Sequence, residues 1–114
     1  MAAIDAKRRR LSGFLLRCFD AHLAPAGLEM ATPRDPDHHG SHLSFRHPEA
    51  WRLCQALIHD LGVLPDFREP DLVRFGLTPL STTFTDVWDA TDALRRAVVE
   101  RRYEAFAIER SRVT

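Results

Sequence analysis

The 114-residue chain has one lysine, two cysteines, five glycines and no excess of charge of either sign. Lys+Arg and Asp+Glu stand at 16 each, so no overall field draws the chain to nucleic acid. No apolar run reaches the roughly 18 to 20 residues of a membrane-spanning helix. The basic stretch 7–10 leads into LSGFLLRCFDAHL, which is amphipathic and unlike the core of a signal peptide, so the default compartment is the cytoplasm. Cys18 and Cys54 sit among apolar neighbours without CxxC spacing. They read as small core residues, and no disulfide framework is suggested. No Gly-rich phosphate loop, GxSxG motif or Cys/His nucleophile pair can be assembled. The scarcest residue is lysine: Lys7 stands alone, and every other fixed cation is an arginine.

What is present is core. A hydrophobic fraction of 45% with seven Phe and two Trp, against 28% charged residues, describes a single packed domain over residues 1–114. Residues 3–23 carry a helical apolar stripe through Leu11, Phe14, Leu15, Cys18, Phe19 and Leu23, ended by Pro25 and Gly27. Residues 28–32 and 41–46 are predicted as antiparallel strands around the polar loop 33–40, with Leu43 and Phe45 on one face. Pro48 and Glu49 open a second helix stopped by Gly62, with an expected buried stripe of Trp51, Cys54, Leu57, Ile58 and Leu61. Two short strands, 63–68 and 72–76, flank the turn Glu69-Pro70-Asp71. Thr83, three residues before Asp86, begins a capping box for a last helix expected to turn Val87, Trp88, Thr91, Leu94, Val98 and Phe106 inward and to fray after Arg102. The order helix, strand, strand, helix, strand, strand, helix predicts an α+β two-layer sandwich, a small mostly antiparallel sheet covered by helices. The first helix has no preceding strand to dock on, which suggests a missing upstream segment.

Few residues offer chemistry. His38, His39 and His42 are close in sequence but lack HxxxH or HxH ligand spacing, so a polar loop is favoured over a metal site. His47 reads as a helix-entry residue and His59 as a solvated residue at a helix end. The acids Asp66, Glu69 and Asp71 around a turn, and Asp86, Asp89 and Asp92 on the last helix, read as charge complementarity. Arg74 is different. It interrupts the apolar strand Leu72-Val73-Arg74-Phe75-Gly76, sharing a face with Leu72 and opposing Val73 and Phe75. A guanidinium held on a strand suits a carboxylate or phosphate, although spacing alone favours an edge-strand pairing with Asp66, Asp71 or Glu69.

The segment DFREPDLVRFGLTPLSTTFTDVWDATDAL, residues 66–94, closely resembles the C-terminal part of kynureninase, and TPRDPDHHGSHLSFRHPEAW, residues 32–51, is similar to an upstream loop and strand of that family. The specific element is RFG-x-TPL followed by FTDVWDA, which disfavours other aminotransferase-like enzymes such as desulfurases. Two positions depart from the family pattern. Ser81 stands where tyrosine commonly follows TPL, and His39 where arginine commonly precedes Gly-Ser.

The resemblance implies the small domain of a pyridoxal-phosphate enzyme that hydrolyses kynurenine, or 3-hydroxykynurenine, to anthranilate, or its hydroxylated form, and alanine. Arg74 matches the family arginine that binds the substrate's α-carboxylate. The large pyridoxal-phosphate-binding domain is expected to be absent from this chain, a homodimer is implied for the complete enzyme, and no catalytic, cofactor-binding or metal residue is expected here. Lys7, among Arg8, Arg9 and Arg10, matches an ordinary charged position of the family. From a different class, a stand-alone module binding a carboxylate or a protein partner remains the alternative.

Overall fold

The computed structural model describes residues 2–35, 42–77 and 82–107. Helix α1 (Ala2–Cys18) runs into a π-helical turn, Phe19–Leu23, and is followed by β1 (Glu29–Met30) and β2 (His42–Arg46). Helix α2 (Ala50–His59), β3 (Asp66–Arg68), β4 (Leu72–Gly76), α3 (Phe84–Val99) and a 3-10 turn (Arg102–Ala105) complete the chain. The four strands pair antiparallel in the order β1-β2-β4-β3. The expected α+β sandwich with a small antiparallel sheet is what forms.

Alternation along the strands divides the sheet into two unlike faces. Leu43, Phe45, Val73 and Phe75 turn to the helices and are buried, joining Leu11 and Leu15 of α1, Leu53 and Leu57 of α2 and Leu94 of α3 in one core. Phe45 lies at its centre, stacked on Phe19 at 5.5 Å and edge-on to Phe75 at 5.8 Å. The other face carries His42, Ser44 and Arg46 from β2, Arg74 from β4, and Asp66 and Arg68 from β3, all exposed or half-buried.

The helix ends follow their local chemistry. Thr83 Oγ1 accepts from the Asp86 amide at 3.0 Å while Asp86 Oδ2 accepts from the Thr83 amide at 2.8 Å, closing the capping box. Past α2, Gly62 adopts φ +69°, and the Val63 amide reaches back to the Leu57 carbonyl at 2.9 Å. That closure needs a left-handed residue, which glycine supplies without steric cost.

Four local expectations change. The buried face of α2 is Ala50, Leu53, Cys54, Ala56 and Leu57, while Trp51, Ile58 and Leu61 are only half-buried. Trp51 instead packs sideways against Phe67 of the edge strand β3, because the helix is shared between the sheet and α3. On α3, Ala93 and Ala97 join Val87, Thr91 and Leu94 in the core, whereas Trp88 is 42% exposed with its ring against His22 and Val98 is half-buried. Helix α3 stops at Val99, with Arg101 left-handed at φ 54°, so Phe106 approaches the core from the 3-10 turn and stacks on His59. Both β1 and β3 are shorter than predicted. The chain beyond β1 bonds less regularly, the Ser44 amide donating to the Thr32 hydroxyl at 2.7 Å.

Candidate functional site

Strand β4 is interior, with β2 on one side and β3 on the other, so Arg74 is not on an edge strand, although the pairing with Asp66 that the edge-strand alternative expected does form. Val73 and Phe75 anchor the strand in the core at 0% and 5% exposure, which fixes Arg74 on the opposite, open face. Register then sets its neighbours: Ser44 lies directly across on β2 and Asp66 directly across on β3. The Arg74 Nη2 donates to Asp66 Oδ2 at 2.9 Å. The arginine side chain is 23% exposed and that of its partner 59%, so the cation is seated in the sheet while the carboxylate is wet.

The electrostatics centre on Asp66. Its hydrogen bond from Arg74 holds the carboxyl below its ordinary value of 3.8; burial opposes this, and the charges of Arg74, Arg68 and His42 reinforce it. Two arginines, Arg74 and Arg68, therefore act on one carboxylate. His42 lies directly across from Gly76, where even a Cβ would make only ordinary contact with the imidazole at 3.5 Å. The Arg74 Nε is buried without a hydrogen-bond partner among the described residues. Chemically the arrangement can bind and orient an anion.

The other candidates have local roles. His47 Nδ1 accepts from the Glu49 amide at 2.9 Å, the helix-entry role, and burial pushes its pKa below 6.5. Asp71 pairs with Arg46 at 3.5 Å, Asp86 closes the capping box, and Asp92 reaches Arg95 and Arg96 at 2.9 and 3.3 Å. Both cysteines are free and buried, and burial, with the Asp66 charge adding, pushes the Cys54 thiol up to about 12. His38, His39 and Ser81 lie outside the described residues. His42 stands on β2, and among the described residues no group of three or more potential ligands could hold a metal. No described helix is long and apolar enough to cross a membrane.

Sequence reasoning passed over Ser44 and His42 as neighbours of Arg74. The signal was available in His42-Leu43-Ser44-Phe45-Arg46, since placing Leu43 and Phe45 inward places the other three outward.

Residues 4–94 match the family model described as the kynureninase C-terminal domain. The chain belongs to that family. The kynureninase of Pseudomonas fluorescens is 46% identical over 94 residues, which is 82% of this chain and 22% of that protein. Kynureninases of Burkholderia mallei (strain SAVP1) and Burkholderia pseudomallei (strain K96243) are each 43% identical over 95 residues, covering 83% of this chain and 23% of theirs. The chain thus spans less than a quarter of the relatives it matches. The match includes all four strands and Arg74, and ends within α3.

Pyridoxal phosphate, implied by the resemblance, requires a lysine amine, an acid at the ring nitrogen and donors for the phosphate. Lys7 lies on α1, whose Leu11 and Leu15 pack on the covered side of the sheet, while Arg74 stands on the open side. Its neighbours Arg8 and Arg9 pair with Asp5 at 2.9 and 3.1 Å. Lys7 and Arg74 thus lie on opposite sides of the sheet. The residues of this kynureninase-like domain do not by themselves fit the group.

Proposed function

We propose that this chain is the C-terminal portion of a kynureninase, and that Arg74 binds the α-carboxylate of kynurenine or 3-hydroxykynurenine during hydrolysis to anthranilate, or 3-hydroxyanthranilate, and alanine. The observation that carries the reading is the seating of Arg74: a guanidinium fixed by an interior strand and presented on an open sheet face. A groove at the start of α2 is lined by Pro48, Trp51, Arg52 and Phe67 and does not include Arg74. An arginine on an open face is half of a binding site, and the family membership supports a pyridoxal-phosphate-binding large domain as the other half. Under this reading the complete enzyme is a cytoplasmic homodimer, and the 114 residues alone have no hydrolase activity.

The test grafts residues 4–94 in place of the matching segment of the Pseudomonas fluorescens kynureninase and follows anthranilate release. A charge-assisted hydrogen bond contributes about 1.5 to 3 kcal/mol. Losing the two of a bidentate grip, about 3 to 6 kcal/mol, corresponds to roughly 10²- to 10⁴-fold in kcat/KM. Arg74→Ala is expected to show that loss, mainly in KM, and Arg74→Lys to recover part of it. Unchanged kinetics in Arg74→Ala would refute the assignment.

A further inference from the structure

We propose that Asp66 is a positioning residue for Arg74, holding the guanidinium so that a ligand carboxylate docks end-on against the two terminal amino groups; this rests on the carboxylate-binding reading of Arg74. One guanidinium offers donors along a side edge and across its end. Side-on docking of a carboxylate uses Nε and Nη2, but the Arg74 Nε is buried and out of a ligand's reach. Only the Nη1 and Nη2 end remains for a two-point grip. Asp66 takes a single contact on Nη2, at 2.9 Å, and each amino group carries two N–H donors, so the pairing leaves an N–H on Nη2 as well as Nη1.

The register explains why Asp66 performs this role from across the sheet. Asp66 and Arg74 are direct partners in the β3/β4 ladder, so the backbone sets their separation and a flexible loop does not. Arginine otherwise carries a large rotamer entropy, and a fixed carboxylate removes part of that disorder before the ligand arrives. A second carboxylate would ordinarily be repelled by the first. Here Arg68, whose charge also falls on Asp66, adds positive charge to the same face, and the wet carboxylate of Asp66 is screened by solvent.

The experiment uses the full 114-residue chain, isotopically labelled, with L-alanine as the carboxylate probe and alaninamide as the control that lacks the carboxylate. In the wild-type chain, L-alanine is expected to shift the Arg74 side-chain resonances and the amide of Ser44, its cross-strand partner, saturably, and alaninamide to leave both unmoved, the Ser44 amide carrying the readout in Arg74→Ala. Asp66→Asn is expected to weaken the L-alanine response at least fivefold and to speed guanidinium rotation about Nε–Cζ, and Asp66→Glu to restore part of the affinity. Loss of response in Arg74→Ala with full response in Asp66→Asn overturns the role of Asp66 and leaves the reading of Arg74 standing. A response in Arg74→Ala equal to wild type, or none in the wild type, overturns both. In the grafted enzyme, Asp66→Asn is expected to raise KM for kynurenine at least fivefold with kcat within twofold. An unchanged KM, or an equal fall in kcat, overturns the positioning role independently of the isolated chain.

Discussion

Replacing Phe45 by alanine tests whether the covered face of the sheet holds the open one in place. Phe45 is fully buried and packs on rings from two other elements, Phe19 and Phe75, at 5.5 and 5.8 Å. A buried Phe→Ala change costs about 3 to 5 kcal/mol, counting both lost transfer energy and the cavity left behind. Two aromatic pairs, each worth about 0.5 to 1.5 kcal/mol beyond their buried area, place Phe45 toward the upper half of that range. The whole stability of a domain of this size is about 6 to 17 kcal/mol, so a loss near 4 kcal/mol is a large share of it. In urea, with a slope of about 1.5 kcal/mol per molar, the midpoint should fall by roughly 2.5 M, followed through Trp51 and Trp88 fluorescence. The neighbouring residue on the strand is Ser44, directly across from Arg74, so a folded Phe45→Ala chain should also lose the order of the Arg74 side chain. A loss below about 1 kcal/mol would refute the assignment of Phe45 to the centre of the core.

Two further outcomes follow from local geometry. Thr83→Ala removes one arm of the capping box and should cost about 1 kcal/mol, with amide exchange rising first in the opening turn of α3; unchanged protection at Asp86 would contradict the cap. Cys54, with its thiol pushed up to about 12, is protonated at pH 8 and buried in the folded chain. Iodoacetamide at pH 8 should therefore modify it only after urea unfolding, and rapid labelling of the native chain would show that α2 does not seal it.

Much of the fold was legible because its signals are local. The Thr83/Asp86 box, the Gly62 stop, the His47 entry and the inward pair Leu43 and Phe45 each depend on residues within about one turn or one strand, and each appears where the pattern places it. Expectations about burial were less secure wherever an element packs on two neighbours. Trp51 and Trp88 lie at the margins of their helices' apolar arcs, and the tertiary packing turns one toward Phe67 and the other toward His22 at the surface. Periodicity gives the direction of an arc but not its width, so large rings at its edge can fall either way. The left-handed Arg101 that ends α3 had no breaker such as glycine or proline to announce it.

For the site, the sequence by itself determined that Arg74 interrupts an apolar strand and faces away from Val73 and Phe75, and that one lysine is all the chain offers. Those facts follow from the two-residue period of a strand and from composition. Only the tertiary structure decided that β4 is interior, that Asp66 out of three nearby acids holds the guanidinium, and that Lys7 and Arg74 lie on opposite sides of the sheet. Strand order and cross-strand register join residues far apart in the chain, and the burial of the whole apolar face selects them.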